Sequence, residues 1–207
     1  MLEVMIYRHY IKRMLDLLIV VILLPFFLFV WILITPLIII SDGFPVFFKG
    51  ERIGKAFKLF PMYKFRTMKN NVEHLINQDG STYNNSNDSR LTGIGKFLRE
   101  SSIDEIPQII NVLKGDMSLV GPRASMDISL GTFQEDEIGK MDVKPGITGY
   151  TQAYFRNSIS NREKRLYDAW YAQNISFKLD CKIIIKTIFV VIRKENLYTN
   201  DRTGKTK

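Results

Sequence analysis

The chain has 207 residues and a formal net charge of +8, a length that suits one domain or one domain with an appendage. One cysteine, Cys181, allows no intramolecular disulfide and fits a reducing compartment; two histidines, His9 and His74, are too scattered for a histidine metal site or triad. The charge fits an anionic membrane surface or an anionic ligand, and nucleic acid is set aside because no zinc-finger spacing, RNP-like aromatic motif or basic helix accompanies it.

In chain order, the first element is apolar. Leu17 to Ile40 carries no charged residue. As a helix rising about 1.5 Å per residue it reaches about 36 Å, more than a hydrocarbon core of about 30 Å. It is long for a signal-peptide core and no small-residue cleavage site follows, so it is expected to be retained. Arg8, Lys12 and Arg13 precede it and Lys49, Arg52, Lys55 and Lys58 follow, so both flanks favour the cytoplasmic side. Pro25 divides the run into arms, Tyr10 to Leu24 and Pro25 to Ile40, each about 23 Å long and too short to cross alone. The expected element is a kinked, re-entrant helix over residues 1–42. The competing reading is a spanning helix that tolerates Pro25 and exits at Pro36. Asp16 is expected at the interface, paired with Lys12 or Arg13 on its own helix face.

Residues 43–195 form the expected catalytic domain. Pro45 to Met68 alternates apolar and basic residues around Gly50 and Gly54, predicting a hairpin with Lys64 and Arg66 on the same side of a strand. Asn77 to Arg90 is a polar loop, with His74 solvated near it. Residues 94–113 are helical by apolar spacing, interrupted near Ser101 and Pro107. Val143 to Tyr150, "VKPGITGY", is a structured turn. "ISNREKRLYDAWYAQN" predicts an amphipathic helix, and "ISFKLDCKIIIKTIFVVIRK", apolar but broken by charge, an interfacial one. The tail at 196–207 is polar and frayed. Together these predict an α+β fold, mainly helical, with interfacial amphipathic helices and one short β-hairpin.

Chemistry concentrates in "SSIDEIPQIINVLKGDMSLVGPR" from Ser101 to Arg123. Ser102 and Glu105 match a helix capping box, the plainest account of the acid pair Asp104–Glu105. Pro107 strains that account, because a helix begun at Ser102 would meet it in the second turn. If the helix starts at Pro107 instead, both acids sit at its positive end, where the ionised carboxylate is favoured. Adjacent helical residues point about 100° apart, so the acids divide the labour: one attacks, the other holds a hard cation. Arg99, Arg123, Lys64, Arg66 and Arg156 supply phosphate-binding cations. Carboxylates, arginines and a membrane dip together point to Mg²⁺-assisted phosphoryl transfer onto a lipid.

"YKFRTM", "LRESSIDEIPQIINVLKGDMSLVGPR", "KPGITGYTQ" and "YDAWYAQNISFKLD" resemble the bacterial sugar transferase family, the monotopic polyprenol-phosphate phosphoglycosyltransferases, over nearly the whole chain. The resemblance is to small members that carry the catalytic domain and re-entrant helix alone. It implies a ping-pong transfer of sugar-1-phosphate from a UDP-sugar to undecaprenyl phosphate through an aspartyl phospho-sugar, releasing UMP, on the cytoplasmic face of the bacterial inner membrane. It implies Asp104 as nucleophile, Glu105 as Mg²⁺ ligand, and Lys64, Arg66, Arg99, Pro122, Arg123, Gln152, Arg156 and Asp168 around the substrate. Three positions depart from the family's pattern: Leu24 before the helix proline where serine is frequent, Ala124 where proline is usual, and Tyr150 where tryptophan is common. The rival reading is a catalytically silent membrane-surface scaffold of a polysaccharide assembly. The sequence names neither the sugar nor the oligomeric state.

Overall fold

A computed structural model describes residues 5–73, 75, 83–85, 87–126 and 131–194. His74, much of the polar loop expected at Asn77–Arg90 and the tail at 196–207 lie outside them. After a π-helical turn at Tyr7–Ile11, helix α1 runs from Lys12 to Asp42 over 31 residues, about 46 Å at helical rise, without a break at Pro25 or Pro36. The two expected arms are thus one continuous helical element. It stops at Gly43, whose φ of 70° a side chain would resist and whose amide bonds the Ile39 carbonyl. By length and composition α1 is apolar enough to cross a membrane.

One stripe of α1 is buried: Asp16, Val20, Phe27, Val30, Ile34 and Ile38, at helical spacing. The other faces leave Leu18, Ile22, Phe26, Phe29, Ile32 and Ile40 exposed. The stripe enters two of three hydrophobic clusters, and Tyr7 and Leu15 at the N-terminal end enter the other. Tyr7 and Leu15 pack with Val120, Tyr171 and Ile183; Val20 and Phe27 with Phe60, Met62, Ile109 and Met117; Val30, Ile34 and Ile38 with Val46, Phe65 and Leu98. Polar ties fasten both ends of α1 to the same body. Lys12 reaches Asp180 at 2.6 Å, and Arg13 donates to the Val112 carbonyl at 2.6 Å. Arg66 pairs with Asp42 at the far end. Asp16 is not paired with Lys12 or Arg13 as expected. It is buried, accepting from Ser118 Oγ at 2.7 Å and the Leu119 amide at 3.2 Å, because the segment Ser118–Val120 packs against that face and its donors satisfy the carboxylate directly.

Strands β1 (Phe47–Ile53) and β2 (Leu59–Phe65) form the expected antiparallel hairpin, with Phe47 opposite Phe65 and Gly50 opposite Met62. A 3₁₀ turn at Lys55–Phe57 joins them. Helix α2 (Gly93–Glu100) is capped by Thr92 and rests directly on the chain after β2: a Cβ at Gly95 would stand 1.9 Å from the Thr67 carbonyl oxygen. A 3₁₀ segment at Ile103–Gln108 leads into α3 (Ile109–Lys114). Strand β3 (Ser118–Val120) pairs in parallel with β5 (Gly146–Thr148), and β4 (Ser125–Met126) adds to the free edge of β1, giving a sheet in the order β2-β1-β4. Helices α4 (Tyr150–Tyr154), α5 (Asn161–Gln173) and α6 (Phe177–Ile192) follow. Ser160 and Glu163 make a complete capping box at the start of α5. Helix α6 buries Asp180, Ile183 and Val190 and leaves Phe177, Ile185, Ile188, Phe189 and Ile192 exposed, an amphipathic element with an open apolar face.

Candidate active site

Between α2 and α3 the chain turns at Ser102, a non-glycine residue with φ 58°, and enters the 3₁₀ segment that carries Asp104 and Glu105 in its first turn. The capping box does not form. Ser102 makes no side-chain cap, and Glu105 Oε1 is turned to Lys64 Nζ at 2.5 Å. Nor does the helix start at Pro107, which sits inside the 3₁₀ segment. With about three residues per turn, the adjacent acids diverge by about 120°. Asp104 is buried at 8% exposure, while the Glu105 side chain keeps 27%.

Their electrostatics diverge as well. Burial pushes Asp104 up to about 6; Lys64 and Arg99 oppose the rise and the Glu105 charge adds to it. Burial also pushes Glu105 upward, but Lys64, Arg123 and Arg156 together hold it below the usual glutamate value. At neutral pH both carboxylates are ionised, with Glu105 the more firmly so. Buried Asn111 sets Lys64 over the acids by accepting from the Tyr63 amide at 3.0 Å and donating to the Pro61 carbonyl at 2.7 Å, which joins α3 to β2.

Arg123 and Arg156 come from two loops locked to each other. Gly121 N donates to the Thr148 carbonyl at 2.9 Å, and Gly146 N to the Pro122 carbonyl at 3.0 Å. The contact is too close for side chains: a Cβ at Gly149 would stand 2.0 Å from the Gly121 carbonyl oxygen. "VKPGITGY" is accordingly a turn plus a strand. Buried Pro122 backs the Arg123 turn, and the Arg123 side chain is exposed. Arg156, at φ 47°, directs Nη2 to Ser102 Oγ at 3.3 Å, so two left-handed non-glycine residues meet beside the acids. Gln152 Oε1 lies 3.2 Å from Thr151 Oγ1 in α4, competing with the closer Asp168 for the one hydroxyl proton. Arg99 approaches from α2, with Nε bonded to Thr67 Oγ1 at 3.0 Å.

Two residues expected at the site stand elsewhere. Arg66 diverges from Lys64: it is 7% exposed, pairs with Asp42, and donates to the carbonyls of Asp42, Gly43 and Pro45. The chain leaves β2 at Phe65, so strand alternation no longer governs its direction, and the carbonyl-rich end of α1 takes the cation. Asp168 is 1% exposed and lies beneath the site, saturated by the Arg123 amide, Thr151 and Lys140. Lys140, 5% exposed, was not singled out from the sequence; a lone lysine in a short helical turn gives no local signal of burial.

A fully protein-built metal cage is absent among the described residues, since no three His, Cys, Asp or Glu side chains gather there. Mg²⁺ characteristically takes one or two carboxylates and completes its shell with water and substrate phosphate. An ionised, partly exposed Glu105, already bonded to a cationic Lys64, fits that donor role.

The chain's residues 7–194 match the family model described as bacterial sugar transferase. It is 34% identical over 205 residues to an undecaprenyl-phosphate galactose phosphotransferase of Salmonella typhimurium, a match covering 92% of this chain and 42% of that protein. It is 43% identical over 164 residues to the uncharacterized sugar transferase EpsL of Bacillus subtilis, covering 79% of this chain and 78% of the relative. The exopolysaccharide production protein ExoY of Rhizobium meliloti is 34% identical over 198 residues, with 90% and 88% covered. This chain therefore spans less than half of the Salmonella enzyme and most of the two smaller relatives. With that match running from the π-helical turn to the end of α6, through the acid pair and both arginine loops, the chain belongs to the bacterial sugar transferase family.

Proposed function

We propose that this protein transfers sugar-1-phosphate from a UDP-sugar to undecaprenyl phosphate in two half-reactions. The observation that carries the reading is the acid pair in the first turn of the 3₁₀ segment, Asp104 buried and Glu105 bonded to Lys64, with the charges of Arg99, Arg123 and Arg156 acting on it. In the first half-reaction an Asp104 oxygen attacks the β-phosphorus, the bond from that phosphorus to the bridging oxygen breaks, and UMP leaves with the bridging oxygen. In the second, a phosphate oxygen of undecaprenyl phosphate attacks the same phosphorus and the acyl-phosphate bond breaks. A diphosphate-linked lipid forms and the Asp104 carboxylate is regenerated. Neither step requires a net proton transfer. The cations offset the charge of the diphosphate, which otherwise repels an attacking carboxylate. Mg²⁺ held through Glu105 would supply further neutralisation on the phosphate oxygens.

The membrane helix fits a re-entrant path better than a crossing one. Both of its ends are bonded to one body, and between them Leu15, Val20, Phe27, Val30, Ile34 and Ile38 pack against that body. A crossing along its length would draw the polar body into the hydrocarbon. We place Arg8 and Lys49, and with them the site, on the cytoplasmic face of the inner membrane. There a soluble nucleotide-sugar and a lipid phosphate both arrive.

The Salmonella relative is named for galactose, so UDP-galactose heads a test panel completed by UDP-N-acetylgalactosamine and UDP-glucose. One donor should give about one equivalent of UMP without acceptor, a phospho-sugar mass adduct on Asp104, and turnover once undecaprenyl phosphate is added. UMP release that strictly requires the acceptor would refute the covalent route. No UMP from any UDP-sugar would favour the silent scaffold.

A further inference from the structure

Beneath the site lies a buried ion pair that the transfer reaction does not itself use. Lys140 Nζ stands 3.2 Å from Asp168 Oδ2 and donates to the Arg123 carbonyl at 3.0 Å and Ser125 Oγ at 3.1 Å. Asp168 Oδ2 also accepts the Arg123 amide at 3.0 Å, and Oδ1 accepts Thr151 Oγ1 at 3.0 Å. Thr151 in turn offers its carbonyl to the Arg156 amide at 2.8 Å. Both main-chain polar groups of Arg123 thus end on one ion pair. The same pair reaches, through Thr151, the residue that fixes the left-handed backbone of Arg156.

We infer that Lys140 and Asp168 form a positioning device that sets the Arg123 and Arg156 guanidiniums relative to each other over the acid pair. Lys140 is the positioning residue the sequence did not disclose, and Asp168 acts through the two loops rather than on the substrate. The inference rests on the reading of those arginines as the diphosphate clamp. Its physical basis is an asymmetry of buried ion pairs. Desolvating both charges offsets most of their attraction, so such a pair adds little stability over an apolar replacement, while each partner alone is costly to leave unpaired. Here the pair's remaining hydrogen bonds go to one carbonyl and one amide of Arg123, the Ser125 hydroxyl just after it, and the Thr151 hydroxyl of the helix that leads to Arg156. A device that fixes backbone on both sides of Arg123 leaves an exposed, flexible arginine only its side-chain torsions to order on binding.

The test uses the full chain in nanodiscs with Mg²⁺ and whichever donor of the panel releases UMP. Lys140→Met should lower both thermal stability and UMP release, since it strands a buried carboxylate. Lys140→Met combined with Asp168→Asn removes both charges and should return the melting temperature close to wild type. Its kcat/KM for UMP release should stay at least about tenfold down. Arg123→Lys should cost about tenfold or more in the wild-type background but less than about threefold in that double variant, because the clamp is already misplaced. Thr151→Val, which removes the hydroxyl that contacts Asp168 and Gln152, should keep the fold and raise KM more than it lowers kcat; Lys140→Arg should restore activity.

A double variant with wild-type kcat/KM, or an Arg123→Lys penalty equal in both backgrounds, would show that the pair only supports the fold. If the double variant does not fold, an unchanged KM in Thr151→Val overturns the inference by itself. Should Arg123→Lys cost nothing in the wild-type background, the clamp reading fails and this inference falls with it.

Discussion

Asp104→Asn separates two consequences of burying a carboxylate. The raised value means that the folded protein holds a proton on Asp104 between about pH 4 and 6, where the unfolded chain has released it. Stability therefore falls as pH rises through that window. From a model value of 3.8 to about 6, at about 1.36 kcal/mol per unit, the loss approaches about 3 kcal/mol and is complete above pH 6. Asparagine keeps the shape and never ionises. The variant should match wild type near pH 3.5 and exceed it at pH 7 by up to about 3 kcal/mol, or about 6–12 °C in Tm for a chain of this size. At the same time it should release no UMP, because an amide is a poor nucleophile. Tryptophan fluorescence melts from pH 3.5 to 7.5 in detergent, run beside the UMP assay, measure both. Wild-type UMP release should rise through an acid limb near pH 6, where Asp104 loses its proton. Parallel Tm-against-pH curves for the two proteins would refute the assignment of Asp104 as the buried, proton-holding acid, and residual turnover in the variant would refute its role as nucleophile.

Glu105→Gln should raise the Mg²⁺ concentration needed for half-maximal UMP release by about tenfold and lower the rate; an unchanged metal titration rules out the ligand role. Arg156→Lys keeps the charge but loses the fork, and it should cut kcat/KM for the UDP-sugar by about tenfold or more, read from initial rates at limiting donor. Gly149→Ala drives a methyl group to 2.0 Å from the Gly121 carbonyl oxygen, so the two arginine loops must part; we expect a loss of about 3 kcal/mol in thermal unfolding together with slower UMP release. Single cysteines at Arg8 and Lys49, in a background with Cys181 replaced, should both resist a membrane-impermeant thiol reagent added outside intact cells, and labelling at Arg8 alone would establish a crossing helix.

Features with a local signature were legible in the sequence. The hairpin follows from period-two alternation between glycines, and the interruption at Ser101–Pro107 follows from a proline that no continuous helix accommodates. The acid pair and the arginines stood out as residue types, and a family resemblance gave them roles. What the sequence hid was long-range. Same-helix spacing offered Lys12 and Arg13 to Asp16, whereas its partner Ser118 lies 102 residues away and packing alone decides the choice. Arg66 was read by strand alternation one residue after the strand had ended. Lys140 looks like any surface lysine, and its burial depends on α5 presenting Asp168 from 28 residues further along. The capping box failed for a related reason: Lys64, 41 residues upstream, outcompetes a local backbone amide for the Glu105 carboxylate.

The fastening of α1 bears on how the protein is made. The helix is synthesised before the body it packs on, and the groups that satisfy its polar end follow late: Ser118 comes 102 residues after Asp16 and Asp180 comes 168 residues after Lys12. Until they emerge from the ribosome, the nascent helix carries an acid and two cations with no tertiary partner, and a stripe of Val20, Phe27, Val30 and Ile34 with nothing to pack on. Lipid is the one apolar environment on hand during that interval. Association of α1 with the membrane would then come before completion of the three hydrophobic clusters, with the bilayer acting as a folding template. A chain deprived of α1 would leave Phe60, Met62, Phe65 and Leu98 stripped of their neighbours, so the body packed on α1 is not a part that can be released in soluble form by cutting the helix away.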